Sequence, residues 1–160
     1  MIPHISEVLE RLQESEIAEP SEVVGCSEVE IQTLGSHFKV TFPLAYQLFL
    51  KTMGHRAGRL MTDISIFYKD IFQTNVSARQ RMVDYGIHLP QDAFVFASRR
   101  DEQVLFFLVD GGDDPPVYHW IEEDTTWKFF ADSIWEFVES EIRMLEAIYR
   151  QNGCSWKNFF

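Results

Sequence analysis

The sequence predicts a single α+β domain with a central, mostly antiparallel sheet flanked by helices. The chain has 160 residues, which is enough for one well-packed core and too few for two domains of ordinary size. Apolar residues follow helical spacing in the first third of the chain and again after residue 132, and they form short strand-like runs between residues 93 and 130. Consecutive strands joined by short turns favour an antiparallel meander.

Two helices are predicted before residue 40. The first covers residues 5–17, and its apolar face consists of Ile5, Val8, Leu9 and Leu12. The second begins at Ser27, because Ser27 and Glu30 match a capping box in which each side chain binds an unpaired backbone N–H group. We expect this helix to end at Gly35.

A third helix is marked by proline and glycine at its ends. Pro43 fits the first helical turn, where its missing N–H would have no partner anyway, and Gly54 fits a left-handed residue that ends a helix. Between them, the apolar side chains that recur at helical spacing are Tyr46, Phe49, Leu50 and Met53. This helix is predicted to bury that face, and the three helices are expected to form one layer or edge of the domain.

The middle of the chain is less regular. Residues 58–67 suggest one strand, with Leu60, Ile64, Ile66 and Phe67 as its apolar residues. Residues 70–85 suit a helix that ends at Gly86, and its expected apolar positions are Ile71, Val76, Met82 and Val83.

Three or four strands are predicted to follow in succession. Residues 93–98 and 103–109 are aromatic and β-branched runs joined by a polar turn, which is typical of a hairpin. The second run is apolar at successive positions and is therefore predicted to be a central strand covered on both faces. Runs at 117–121 and 127–130 complete the meander.

The strongest helical pattern comes last. Its apolar stripe consists of Ile134, Phe137, Val138, Ile142, Leu145, Ile148 and Tyr149. Asp132 can cap this helix, and Ser133 with Glu136 offers an alternative capping box one residue later. The aromatic tail, residues 154–160, is expected either to fold back on the domain or to offer a patch for a partner.

This order of elements resembles the SUKH superfamily, also called the Smi1/Knr4 family. The resemblance rests on the Pro-x-x-Tyr-x-x-Phe-Leu helix closed by Gly54, strands around residues 94–110, an aspartate-proline turn leading into Val117, and a terminal helix from Asp132. It covers a core of about residues 27–150. The resemblance implies an α+β fold and a function in protein binding rather than catalysis.

The charge of the chain favours some partners over others. The formal net charge is −11, with acidic residues concentrated in residues 1–34 and 101–136. Nucleic acid is not expected as a direct ligand, because its affinity depends on neutralising phosphates with basic side chains. A basic protein partner is favoured by complementary charge. The alternative is an acidic surface that serves only to keep the protein soluble.

The sequence also predicts where the protein is found. No apolar run approaches the ~20 residues needed to cross a bilayer, so no membrane association is expected. The first residues lack the basic and apolar segments of a signal peptide. We therefore expect a cytoplasmic protein whose cysteines, Cys26 and Cys154, are reduced thiols.

No sequence motif for catalysis, metal binding or cofactor binding is present. The phosphate loop, dinucleotide fingerprint, nucleophile elbow and His-Glu-x-x-His segment are all absent from the sequence. The five histidines are scattered without metal-ligand spacing, at His4, His37, His55, His88 and His119. We therefore expect no enzymatic activity, no cofactor and no metal site.

Two acidic clusters are the candidate partner-binding residues. They comprise Asp110, Asp113 and Asp114 before one predicted strand, and Glu122, Glu123 and Asp124 after it. Clustered carboxylates can hold a hard cation or perturb one another's pKa values, which would make one cluster a metal or acid–base site. The alternative is that these residues solvate two tight turns.

Three hypotheses for function are considered, of which the resemblance implies the first two. Many SUKH-like bacterial proteins are immunity proteins that bind and neutralise toxins, often nucleases, and this is the leading hypothesis. Fungal relatives are regulatory adaptors, so a scaffold or adaptor without a toxin partner is the alternative. A small enzyme that uses one carboxylate cluster ranks third. The oligomeric state is not predicted by the sequence.

Overall fold

The computed structural model describes residues 2–151. The helices are α1 (Ile5–Glu14), α2 (Glu28–Phe38), α3 (Leu44–Met53), α4 (Tyr68–Asp84) and α5 (Ile134–Gln151), with a short 3₁₀ helix at Pro20–Glu22. The strands are β1 (Val23–Val24), β2 (Arg56–Ala57), β3 (Ile64–Ser65), β4 (Ala93–Arg99), β5 (Gln103–Leu108), β6 (Val117–Ile121) and β7 (Lys128–Ala131). This architecture confirms the predicted α+β class.

The main sheet is an antiparallel meander with the strand order β3-β4-β5-β6-β7. The strand β5 lies at its centre, as its continuous apolar run predicted. Its residues Val104, Leu105, Phe106 and Phe107 are fully buried, and alternate residues face opposite sides of the sheet. A separate small sheet pairs β1 with β2, with Val24 opposite Arg56.

The two faces of the main sheet pack into different cores. On one face, Leu105 and Phe107 of β5 join a large core that includes buried residues of α1, α2, α3 and α5. On the other face, Val104 and Phe106 join a smaller core with Met82 of α4. The helices therefore flank the sheet on both sides, which is why β5 has no solvated face.

Two glycines have roles other than the predicted ones. The helix α2 does not end at Gly35 but continues to Phe38, and Lys39 takes the left-handed conformation with φ of 58°. A Cβ atom at Gly35 would lie 2.9 Å from the carbonyl oxygen of Val40, so this glycine allows a close backbone approach. Gly54 does follow α3, but its φ is −63° rather than left-handed.

Three other predictions were wrong in extent. The first helix ends at Glu14 rather than at residue 17, and the strand expected within residues 58–67 is only the two residues of β3. Of the four apolar positions predicted for α4, Ile71 and Met82 are buried, whereas Val76 and Val83 are 61% and 64% exposed. Helical spacing alone did not distinguish the buried face of α4 from its exposed face.

The ends of α1 and α5 are joined by charged groups. The guanidinium of Arg11 donates hydrogen bonds to both carboxylate oxygens of Glu146, at 2.6 and 3.1 Å, and also to Glu139. The Ser15 hydroxyl donates to the Glu146 carboxylate at 2.6 Å. The apolar residues Val8 and Leu12 of α1 are buried in the large core. Charge and burial together hold α1 in place.

The structure shows which of the two candidate residues, Asp132 or Ser133, caps the start of α5. The Ser133 hydroxyl accepts a hydrogen bond from the backbone N–H of Glu136 at 3.1 Å, and Ser133 is buried. This confirms Ser133 as the capping residue.

The aromatic tail at 154–160 and Cys154 lie outside the described residues. Within residues 2–151, no helix combines the length and the apolar composition that crossing a bilayer requires.

Candidate functional site

The two acidic clusters lie at opposite ends of β6. The first occupies the turn between β5 and β6, and the second occupies the turn between β6 and β7. Five strand residues separate the turns, which corresponds to about 16 Å at ~3.3 Å per residue. The six predicted residues therefore lie in two separate turns, as their positions in the sequence indicated.

The first acidic turn is attached to the start of α3. The backbone carbonyl of Asp113 accepts a hydrogen bond from the N–H of Ala45 at 2.9 Å, which satisfies one of the unpaired N–H groups of that helix. Gly112 has a φ of +96°, as a tight turn requires. Asp110 and Asp113 are exposed, whereas Asp114 is half-buried. The turn thus has a structural role and leaves two carboxylates in solvent.

The second acidic turn is anchored by Glu122. Its carboxylate accepts hydrogen bonds from the Tyr85 hydroxyl and, at 3.3 Å, from Arg81. These bonds, chiefly the one from Tyr85, hold the pKa of Glu122 below its ordinary value. The Glu122 backbone N–H also donates to the carbonyl of Glu102 at 2.8 Å, which joins this turn to the β4–β5 turn.

The other two acidic residues of this turn are more available to a partner. Glu123 is exposed and has a φ of 80°, so the chain reverses direction at this residue. The carbonyl of Asp124 accepts a hydrogen bond from the indole N–H of Trp120 at 2.9 Å, which fixes the backbone and leaves its carboxylate half-exposed. The turn is therefore rigid at its base, with Glu123 at its tip.

An aromatic surface that sequence reasoning missed lies on the β6–β7 hairpin, which contains the second turn. This aromatic face consists of Tyr118 of β6, Trp127 just before β7 and Phe129 of β7. The ring centroid of Tyr118 lies 5.2 Å from that of Trp127 and 6.4 Å from that of Phe129. Phe129 is 57% exposed. The register pairs Tyr118 with Phe129, so their side chains share one face of the sheet. The alternation of Trp127 and Phe129 was a sequence signal for this face.

The position of α4 explains why the aromatic face is only partly covered: Tyr118 and Trp127 are partly buried against the smaller core, whereas Phe129 is exposed. Met82 and Ala78 of α4 pack with Val95 of β4, Phe106 of β5 and Trp120 of β6. The edge strand β7 extends beyond this cover, and its Phe129 is exposed. Exposed aromatic side chains next to charged ones are the composition that protein interfaces favour.

A second constellation lies on other elements, where α2 meets the end of α3. The Nε2 atom of His55 lies 3.0 and 2.9 Å from the two carboxylate oxygens of Glu30, and Cys26 completes a group whose potential ligand atoms all lie within 4.8 Å of one another. Thiolate, imidazole and carboxylate together can hold a divalent metal ion. Sequence analysis did not reveal this group, because the spacing of the histidines along the chain does not show which residues meet in space.

The environment of this group shifts two of its pKa values. Burial, with a smaller contribution from Glu30, raises the pKa of the Cys26 thiol to about 12. The backbone N–H of Ser27 and then His55 lower the pKa of the Glu30 carboxyl. The thiol is therefore protonated at neutral pH and is not an activated nucleophile.

Comparison with known proteins supports the resemblance. A search of curated proteins found no match to this chain. The model of the SMI1 / KNR4 family (SUKH-1) matches residues 25–140, which extends from the loop before α2 into α5. The match includes both acidic turns, the aromatic face and the Cys26 group. Because it spans more than half of the residues, the chain belongs to the SMI1 / KNR4 family (SUKH-1).

Proposed function

We propose that this protein is an immunity protein, which binds a cognate bacterial toxin and neutralises it by occluding the active site or the substrate path. Domains of this family are protein-interaction modules, which supports a protein partner. The net charge of −11 favours a basic toxin domain, and a nuclease is the toxin class whose substrate carries the same negative charge. The fungal type of regulatory adaptor is the alternative within the family.

The aromatic face on the β6–β7 hairpin, whose turn contains Glu123 and Asp124, is the observation that carries the proposal. Phe129 is exposed on the edge strand β7, and Tyr118 and Trp127 lie partly buried beside it. Large, rigid aromatic side chains of this kind supply much of the affinity at protein interfaces. The adjacent carboxylates attract a basic partner and orient it during encounter. Occlusion needs no reactive side chain on the immunity protein.

The partner has to be isolated before the proposal can be tested. Affinity capture of the tagged chain from its native cell, with crosslinking and mass spectrometry, identifies what stays bound. A large secreted-type protein with a basic C-terminal domain is the expected partner. Recovery of cellular regulators, or of nothing above background, would favour the adaptor instead.

Paired charge reversals then test which acidic turn binds. The variant Glu123→Lys with Asp124→Lys changes the second turn, and Asp110→Lys with Asp113→Lys changes the first. Each raises the net charge by four. A matched control, Glu7→Lys with Glu10→Lys, makes the same change at exposed positions of α1. Glu122 and Asp114 are left intact, because Glu122 anchors its turn and Asp114 is half-buried.

The expected result is that the second-turn variant loses toxin protection while the α1 control keeps it. Phe129→Ala tests the aromatic face without any change in charge, and we expect it to raise the dissociation constant about tenfold or more. Protection is measured as survival of cells that express the toxin domain, and affinity by calorimetry. If the native chain and all the variants protect equally well, the toxin binds another face. If the native chain itself gives no protection, the protein is not an immunity protein for that toxin.

A further inference from the structure

We propose that Cys26, Glu30 and His55 form a binding site for a divalent ion of borderline softness, with Zn²⁺ as the best match. The site would use three protein ligands and leave a fourth position open. It lies outside the acidic turns and the aromatic face, so it does not depend on the proposed toxin partner.

The ligand set fits zinc by chemical type. A thiolate, an imidazole nitrogen and a carboxylate oxygen are the donors that Zn²⁺ binds in proteins, at about 2.3, 2.0–2.1 and 2.0–2.2 Å respectively. Ligands at these distances around one ion are about 3–4 Å apart, and the present atoms lie within 4.8 Å of one another. Closing the site therefore requires only small side-chain movements. A hard ion such as Mg²⁺ prefers an all-oxygen shell and does not fit.

The three ligands come from segments that the fold holds in place. The N–H of Cys26 donates to the carbonyl of Leu50 at 2.7 Å, and the N–H of His55 donates to the carbonyl of Val24 at 2.9 Å. Glu30 lies in the first turn of α2, where its carboxylate also accepts from the N–H of Ser27 at 2.9 Å. These anchors reduce the ordering that metal binding would otherwise require.

The site is also accessible from one side. The side chains of His55 and Glu30 are 33% and 32% exposed, whereas Cys26 is only 7% exposed and forms the floor of the site. An ion can therefore enter past the imidazole and carboxylate and reach a thiol that is otherwise shielded from oxidants. Binding replaces the thiol proton with the metal, because a coordinating thiol is deprotonated.

Cobalt titration of a tag-free Cys154→Ser protein tests the proposal. In that protein Cys26 is the sole thiol, so a thiolate-to-cobalt absorption band reports ligation by this residue alone. We expect one Co²⁺ per chain with that band and with the visible bands of a tetrahedral site. Zn²⁺ is expected to displace the cobalt, whereas excess Mg²⁺ is not.

Variants assign the ligands. Adding Cys26→Ser is expected to abolish the thiolate band, and His55→Gln or Glu30→Gln to weaken Co²⁺ binding by at least about tenfold. His88→Gln is the matched control, because His88 is exposed and outside the group. Circular dichroism without metal shows which variants remain folded. Absence of the thiolate band in the Cys154→Ser protein, which needs no folded variant, would overturn the proposal; so would equal weakening by His88→Gln.

Discussion

Gly54 is packed so closely that it leaves no room for a side chain. An added Cβ atom would lie 2.5 Å from the Cys26 sulfur and 2.6 Å from the carbonyl oxygen of Leu50. The sequence correctly indicated that glycine follows the helix, but it indicated the wrong reason, because this contact joins residues that are far apart in the chain. A pattern of local residues cannot reveal which distant atom needs the space.

Gly54→Ala is therefore expected to destabilise the protein by about 1–3 kcal/mol, the usual cost of forcing atoms into a packed core. In urea unfolding, the variant should show a lower midpoint concentration of urea, whereas the dependence of the unfolding free energy on urea concentration should stay the same. Val29→Ala is the control, since Val29 is 70% exposed and its change should stay within about 0.5 kcal/mol. An unchanged midpoint for Gly54→Ala would show that the backbone relaxes around the new methyl group.

A buried carboxylate gives a prediction about pH. Glu141 is 6% exposed and pairs with Arg99. Burial raises the pKa of Glu141 above its ordinary value of 4.5; Arg99 opposes this shift and Asp63 adds to it. The folded protein thus binds this proton more tightly than the unfolded chain, and the stabilisation that protonation provides is lost as the pH rises from 4.5 through the raised pKa.

Glu141→Gln removes this titration. We expect the native chain to lose stability relative to Glu141→Gln as the pH rises above 4.5, until the raised pKa has been passed. Urea unfolding at a series of pH values gives this difference. Glu10→Gln, at an exposed position of α1, controls for the change in net charge. The raised pKa would be contradicted if the difference in stability between the native chain and Glu141→Gln stayed constant with pH. It would also be contradicted if the native chain gained stability relative to Glu141→Gln as the pH rises.

The ends of the helices were predicted best where the signal is local. The capping box at Ser27 and the Ser133 cap of α5 both depend on residues three positions apart, and both hydrogen bonds are present. The end of α2 was not predicted, because Lys39 rather than Gly35 takes the left-handed conformation. Glycine is the usual choice for that conformation, but here the glycine is needed inside the helix for packing.

The cap of α5 can be tested by a pair of neighbouring substitutions. Ser133→Ala is expected to cost about 1 kcal/mol, because it leaves the N–H of Glu136 without its hydroxyl partner. Asp132→Ala should change stability by less than about 0.5 kcal/mol, since Asp132 is exposed and Ser133 provides the cap. Thermal unfolding of both variants measures these changes in stability. A larger loss for Asp132→Ala would assign the cap to the aspartate.

The charge of the whole molecule also affects its stability. Like charges repel in the compact state, and this repulsion weakens as salt shortens the screening length from ~30 Å at 0.01 M to ~8 Å at 0.15 M. With a formal charge of −11, the protein is expected to gain about 1 kcal/mol over this range, or roughly 2–4 °C in melting temperature. Scanning calorimetry at the two salt concentrations measures this rise in melting temperature.

The control for the salt effect is Glu7→Lys with Glu10→Lys. This variant raises the formal charge by four, from −11 to −7, at exposed positions of α1. Its melting temperature should therefore rise less with salt than that of the native chain. A native melting temperature that falls with salt would show that attractive ion pairs, rather than net repulsion, dominate.

The candidate sites differ in how far the sequence revealed them. The acidic turns were predicted, because aspartate, glutamate and glycine mark turns by local chemistry. The aromatic face was not predicted, because its exposure depends on how much of the sheet α4 covers. The group of Cys26, Glu30 and His55 was also missed, since contacts between distant segments bring these residues together, among them the pairing of β1 with β2 and the bond from the Cys26 N–H to the Leu50 carbonyl.

The contact between Arg11 and α5 has a consequence for synthesis of the protein. The carboxylate partners of Arg11 follow it by 128 and 135 residues. At about 5–20 residues per second, the ribosome needs on the order of ten seconds to produce them. During that time α1 is a ten-residue helix without its binding partner, which is too short to be stable alone. Its apolar residues are thus available to chaperones until translation is nearly complete.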